Sequence, residues 1–198
     1  MEKKYNRSET SFCRERLLKY CSGSGLDIGY GGDPIVPSAI TVDKTVSNLS
    51  TGGHPLNLEG DAANLYWFRD GVMDYVYSSH LLEDFNRTMT RQVILEWLRV
   101  LKIRGYLILY LPNEQRFRRH CERTGQPYNA SHSIEDFSLE YLKGVLRDMP
   151  NIKVVHEDPA CEEYSFEIVV EKTGVTLSEK GSAGIINRFL KAMKRVMR

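Results

Sequence analysis

The chain has 198 residues, 41% of them apolar and 27% charged, with a formal net charge of +1. That length suits about one domain that buries about 70% of its unfolded surface, so neither a metal nor a disulfide is needed to hold it. The composition excludes a disordered chain, a collagen and a disulfide-dense mini-protein, no apolar run reaches the roughly 18–20 residues of a membrane span, and a whole-domain nucleic-acid footprint is absent.

Residues 1–12 are charged and polar and lack the apolar core of a signal peptide, so the expected compartment is the cytoplasm. Cys13, Cys21, Cys121 and Cys161 lack zinc-ribbon spacing and read as reduced thiols. Short aliphatic and aromatic runs at 26–28, 40–42, 56–58, 73–77 and 106–111 are flanked by Gly, Asp, Asn or Pro, the pattern of buried strands. Between the fourth and fifth runs, Val93, Ile94, Trp97, Leu98 and Leu101 form a helical stripe over 91–102, with Gly105 as its stop signal. A second helix is predicted over 137–149, ended by Pro150. Runs at 152–156 and 164–171 close the domain. The seven residues between them are too few for a parallel crossover and predict an antiparallel hairpin. The fold expected is α/β: a Rossmann-like, mostly parallel sheet with helices on both faces and an antiparallel C-terminal edge hairpin.

The chemistry concentrates at the strand ends. Gly25-Leu26-Asp27-Ile28-Gly29-Tyr30-Gly31-Gly32-Asp33-Pro34 is a buried run leading into a glycine-rich turn, which either lets a ligand approach the backbone or is a tight turn alone. Asp43 ends the second run, where an acid can hold two ribose hydroxyls, and Asp61 follows the third. Asp27, Asp43 and Asp61 thus share the rim where open α/β sheets bind ligands. A dinucleotide fits poorly. Pro34 and Pro37 fall where its phosphate-binding helix would grow, and Gly29 to Asp43 is 14 residues rather than about 20. There is no Walker lysine either, so a nucleoside ligand without phosphates fits better, and a nicotinamide-dependent reductase is disfavoured.

These residues resemble the class I S-adenosylmethionine-dependent methyltransferases. The resemblance runs through Leu26 to Gly32, Asp43, Gly60-Asp61-Ala62, the block Asp74-Tyr75-Val76-Tyr77-Ser78-Ser79-His80-Leu81-Leu82-Glu83-Asp84, and the helix and strand around Glu96 to Leu109, covering residues 23–172. It implies S-adenosylmethionine as cofactor and Asp27, Gly29, Tyr30, Gly31, Asp33, Asp43, Asp61, Ala62 and Ser78 as its contacts. Asp33 either meets the donor's amino group or caps the turn, and Tyr30 either lines the pocket or packs. The family's third glycine is replaced by Asp33-Pro34, and the early connections are short.

The activity implied is methyl transfer to an oxygen of a small molecule or saccharide. A hydroxyl acceptor benefits from a general base, for which His80, just past the fourth strand, and His132, before the second helix, are the candidates. Each is otherwise a helix-entry or capping histidine. Glu83 and Asp84 read as the solvated first turn of the next helix, and Arg116, Arg118, Arg119 and Arg123 as a solvated basic face or a seat for an anionic acceptor. The rival reading is a non-catalytic adapter that keeps the fold and acts through its C-terminus. No nucleic-acid partner is expected, and the oligomeric state is open.

Of the 27 basic residues, Arg188, Lys191, Lys194, Arg195 and Arg198 lie in 184–198, which holds no acidic one; the remaining 22 face 26 acidic residues. Ile185, Ile186, Phe189, Leu190, Met193, Val196 and Met197 fall at helical spacing. The organisation expected is a domain over 1–172, a linker over 173–182 and a basic amphipathic helix over 183–198. That helix either packs on the domain or meets a partner groove or an anionic membrane, peripherally at the inner face. Each basic residue near such a membrane contributes about 1 kcal/mol and is weakened by salt. The full chain is therefore expected to co-sediment with anionic vesicles at low salt, and a chain ending at Ser182 to stay in solution. Equal behaviour of the two would leave the tail without a membrane role.

Overall fold

The aliphatic runs pair into one seven-stranded sheet. The computed structural model describes residues 8–44 and 54–175. Its strands are β1 (Gly25–Ile28), β2 (Ile40–Asp43), β3 (Leu58–Glu59), β4 (Met73–Ser79), β5 (Leu101–Pro112), β6 (Ile152–Cys161) and β7 (Ser165–Lys172). They lie in the order β3-β2-β1-β4-β5-β7-β6. The first five are mutually parallel, and β7 runs antiparallel to both β5 and β6. The expected mixed α/β sheet with its antiparallel hairpin is the one observed. Only β7 reverses direction, and the parallel run of β1 to β5 leaves the C-terminal ends of β1, β2 and β4 together on one rim.

Two helices cover one face. Helix α2 (Arg87–Val100) buries Val93, Ile94, Trp97 and Leu98, and α4 (Leu139–Arg147) buries Leu142 and Leu146 in the same cluster. Helix α1 (Glu9–Leu17) covers the opposite face with Cys13 and Leu17, against Tyr75, Tyr77 and Ile108. Helix α3 (Glu114–Thr124) follows β5 and ends at Gly125, whose φ of 73° is the left-handed stop that glycine adopts without cost.

Several elements differ from the sequence-based expectation. The polar N-terminal segment contains α1, capped by the Ser8 side chain, which accepts from the Ser11 N–H. It buries only Thr10, Cys13 and Leu17, too thin a stripe to register as a 3.6-residue period. Helix α2 passes straight into β5 at Leu101, so Gly105 lies inside a strand. A Cβ there would come within 2.9 Å of the Asp74 and Lys102 carbonyl oxygens, so close backbone approach is why the position is glycine. Among the described residues no helix joins β1 to β2. The tail helix of 183–198 and most of the 173–182 linker lie outside the described residues. No helix among the described residues is long and apolar enough to cross a membrane.

Trp97 ties the helical layer to the rim: it is fully buried, and its Nε1–H donates to the Ala62 carbonyl at 2.8 Å. Trp97→Ala is expected to cost about 3–5 kcal/mol, read as a fall in the denaturant midpoint.

Candidate functional site

A cavity of about 460 Å³ opens at the strand ends, where Gly29 after β1, Asp43 of β2, Gly60, Asp61 and Ala62 after β3, and Leu81 after β4 converge. Phe85, just before α2, Met89 in its first turn, and Ser131 and Ser133 add to its walls. Gly29 has a φ of 69°, and a Cβ there would meet Leu81 Cδ2 at 2.8 Å, so the turn needs glycine both for its backbone and for its contact with the wall. The Asp43 carboxylate accepts from the Lys44 N–H at 2.8 Å and from the Gly31 N–H at 3.4 Å. Asp61 accepts from the Ala63 N–H at 2.9 Å. A carboxylate takes about four hydrogen bonds, so both acids keep lone pairs for a ligand.

The other turn residues do not line this cavity. Asp27 is fully buried beneath it, with Oδ2 accepting the Ile35 N–H at 2.6 Å and Oδ1 without a hydrogen-bond partner. Burial pushes its pKa up to about 8. Asp33 is held by Arg14, at 2.5 Å, and by the Ser8 hydroxyl. Tyr30 donates its hydroxyl to the His54 carbonyl at 3.0 Å, and Ser78 donates to the Ile28 carbonyl at 2.9 Å. Gly31 meets the site through Asp43. Of the nine contacts that the resemblance implies, Gly29, Asp43, Asp61 and Ala62 face the cavity, and the rest brace the turn and strand beneath.

Behind the cavity lies a buried ionisable cluster that sequence reasoning missed. Glu83, expected on a solvated turn, is 1% exposed, and neither carboxylate oxygen has a hydrogen-bond partner. The cause is the 3-10 turn Leu82–Asp84, which curls inward under Ser133: the Ser133 N–H donates to the Glu83 carbonyl and its hydroxyl to the Asp84 carbonyl. Burial raises the Glu83 pKa well above the carboxylate range. Its Oε1 stands 3.7 Å from His80 Nδ1 and 3.8 Å from His132 Nε2. His80, at φ 48°, carries the left-handed backbone that side-chain-bearing residues seldom adopt, and burial lowers its pKa, so its imidazole is neutral at neutral pH. His132 is nearly buried, its Nδ1 lying 2.8 Å from Glu114 Oε2. Burial alone would raise the Glu114 pKa. Hydrogen bonds from Tyr128, Arg118 and His132 outweigh it and hold the carboxyl below its usual range. The signal in the sequence was position: two acids one turn past the fourth strand and one just past the fifth.

Neither the cysteines nor the arginines add a reactive group. All four thiols are unpaired, and burial raises Cys13 and Cys21 to about 12, too high for a thiolate nucleophile at neutral pH. Arg116 bonds the Pro159 and Glu162 carbonyls and Arg123 pairs with Glu163, so the basic face of α3 fastens the β6–β7 hairpin. No group of three or more potential metal ligands occurs among the described residues.

Residues 26–109 match the family model of a methyltransferase domain. Among solved structures, the chain is similar to the PH0226 protein of Pyrococcus horikoshii OT3, 18% identical, with a TM-score of 0.64 over 86% of this chain and 92% of that one. It is also similar to an S-adenosylmethionine-dependent methyltransferase of Archaeoglobus fulgidus, 17% identical, with a TM-score of 0.61 over 86% and 97% of the two chains. A third likeness, 17% identical with a TM-score of 0.60 over 84% and 92%, comes from a complex of the Haloferax volcanii Trm112 methyltransferase activator with a methyltransferase. At these identities the likeness is one of fold. No curated protein matches the sequence.

The Asp27 shift sets a pH dependence. A carboxyl whose folded pKa is raised stabilises the fold below its unfolded pKa of about 4 and loses that contribution as pH rises through the folded value. Wild-type stability should therefore fall between about pH 4 and about 8 from this group. Asp27→Asn, which cannot ionise, should show a flatter profile over that window in denaturant titrations at stepped pH. Parallel profiles would mean that Asp27 is ionised in the folded chain.

Proposed function

We propose that this chain, which carries a methyltransferase domain of the class I S-adenosylmethionine-dependent family, moves a methyl group to an oxygen of a small-molecule or saccharide acceptor. S-adenosylmethionine is its methyl donor, and the residues at the strand ends fit that molecule. Asp43 and Asp61 offer unused lone pairs where a ribose and an adenine amine need acceptors. Val42, Ala62, Phe85 and Met89 offer apolar surface for a purine, and the missing side chain of Gly29 leaves room at the turn. This convergence of two acids, a glycine and an apolar wall carries the reading.

The bound donor supplies an electrophilic methyl group on a positively charged sulfur. The chain's task is then to position the nucleophile and take its proton. Positioning alone supplies about 7–11 kcal/mol in well-oriented reactions, and a general base a further 100- to 10,000-fold. Asp43 orients the donor through its ribose, and Asp61 and Ala62 flank the base. His80 is neutral, as a proton acceptor must be, and stands at the end of β4 beside the cavity wall. His132, oriented by Glu114, is the alternative base. The reaction is cytoplasmic in this reading, with the basic tail holding the domain at an anionic membrane face.

One observation favours the adapter reading: the Asp33 carboxylate is occupied by Arg14 and Ser8 rather than turned to a ligand. Calorimetric titration with S-adenosylmethionine and its demethylated product decides between them. Wild type is expected to bind, and Asp43→Ala to weaken binding by about 1–3 kcal/mol, roughly 5- to 150-fold. No heat at millimolar donor would leave the chain a non-catalytic adapter.

A further inference from the structure

A second cavity, of about 450 Å³, is walled in part by residues that contact His80. Leu81 lines the first cavity. The residue before it, His80, packs its ring against Tyr110 and Tyr164 with centroids 5.4 and 5.9 Å apart. His80 Nε2 stands 3.2 Å from Ser165 Oγ and 3.4 Å from Glu9 Oε2. Tyr110, Tyr164, Ser165 and Glu9 all line the second cavity. Of two consecutive residues past β4, Leu81 thus lines the first cavity and His80 contacts the wall of the second, and His80 is held in a left-handed conformation, a strain that clusters at functional sites.

The lining describes an occupant. Its volume falls in the range of about 300–1,000 Å³ typical of small-molecule sites. Each carboxylate in its wall is already engaged: Glu9 accepts from the Tyr164 hydroxyl at 2.7 Å, Glu162 pairs with Arg16 at 3.2 Å, and Glu163 pairs with Arg123 and, at 2.5 Å, with His120. Glu162 and Glu163 are matched by arginines, so an anionic ligand finds no unmatched cation among the described residues of this wall, and the Glu9 carboxylate is left to accept from hydroxyls. Phe12, Tyr110 and Tyr164 present aromatic rings, while Gln126, Ser165 and Glu9 present donors and acceptors beside them. A molecule with apolar C–H faces and a rim of hydroxyls uses both.

We propose that this second cavity is the methyl-acceptor site, that its acceptor is a neutral polyhydroxylated molecule of the saccharide class, and that the reacting hydroxyl gives its proton to His80 Nε2. The inference rests on the methyl-transfer reading. A lone pair on the acceptor oxygen forms the new O–CH3 bond as the methyl–sulfur bond breaks. That bonding pair stays on sulfur, which becomes a neutral thioether, and the O–H proton moves to Nε2. Glu9 Oε2, 3.4 Å from that nitrogen, stabilises the imidazolium that forms.

The experiment uses the full chain and reads binding directly. Saturation-transfer NMR is recorded with a panel of neutral methyl glycosides (gluco, galacto, manno and rhamno) in the presence of S-adenosylhomocysteine. At least one glycoside is expected to receive saturation. Gln126→Trp, at an exposed position on the cavity mouth, should abolish that signal while the calorimetric affinity for S-adenosylhomocysteine is unchanged. His80→Gln should keep glycoside and nucleoside binding and lower turnover of the bound glycoside at least tenfold. Nucleoside binding without contact to any glycoside overturns the saccharide assignment, and contact that survives Gln126→Trp overturns the cavity. Full turnover in His80→Gln overturns the role of the imidazole. Failure of the nucleoside itself to bind is seen separately, in the calorimeter, and overturns the methyl-transfer reading beneath the proposal.

Discussion

The short connection between β1 and β2 is the constraint on which the rest of the structure depends. Only residues 29–39 join two neighbouring parallel strands, a step that ordinarily takes a dozen residues or more and a helix. With no helix there, one face of the central strands would lie open. Ile35 and Ala39 of the connection cover part of it, and α1 covers the rest through Cys13 and Leu17. The helix is fastened to the connection that it compensates for. Arg14 bonds Asp33 and the Ile35 and Pro34 carbonyls, and Ser8 bonds Asp33 as well. As a surface ion pair Arg14–Asp33 would contribute about 0–1 kcal/mol. Here it also satisfies two carbonyls of an irregular segment, which gives the contact its structural weight.

The same compensation shapes the site. Asp27, Tyr30 and Asp33 serve the compact turn, so the cavity is left to the strand ends that stand clear of it, at Asp43 and Asp61. Helix α1, recruited to the bare face, brings Glu9 and Phe12 to the C-terminal end of β5 and there forms one wall of the second cavity. The shortened loop and the second cavity are therefore linked: a longer connection carrying its own helix would occupy the face where α1 lies.

Much of this was legible in the sequence because strands report themselves locally. The runs around Leu26, Val42, Val76 and Leu109 are buried on both faces and needed no periodicity to be seen. The spacing of the last two runs forced a hairpin, and the acids at 43 and 61 announced the rim. What stayed hidden depends on distant partners. Helix α1 has three buried residues, and its role follows from a missing helix elsewhere. Glu83 looks like any acid on a first turn until Ser133, some fifty residues later, closes over it. The second cavity draws its wall from Glu9 to Ser165, a set with no sequence spacing to read. Asp33 and Tyr30 show the complementary case: their type fits a ligand contact or a structural one, and the partner observed is the chain's own Arg14 or His54 carbonyl.

The cluster behind the rim is stable only with a definite distribution of charge. A buried, ionised carboxylate without hydrogen bonds is costly enough that the group takes up a proton instead, which is why Glu83 is tolerated with both oxygens unpartnered. A neutral Glu83 exerts no charge on His80, so desolvation dominates there and the imidazole stays neutral too. Glu114 carries the opposite solution. It is as deeply buried, but Tyr128, Arg118 and His132 all bond it, and it keeps its charge. Two acids at the ends of adjacent strands are thus shifted in opposite directions, Glu83 upward by burial and neighbouring acids, Glu114 downward by its hydrogen-bond partners. His132 sits between them, and His80 lies on the other side of Glu83, next to Glu9. Environments that push the protonation of neighbouring groups apart in this way are the arrangement that acid–base sites use.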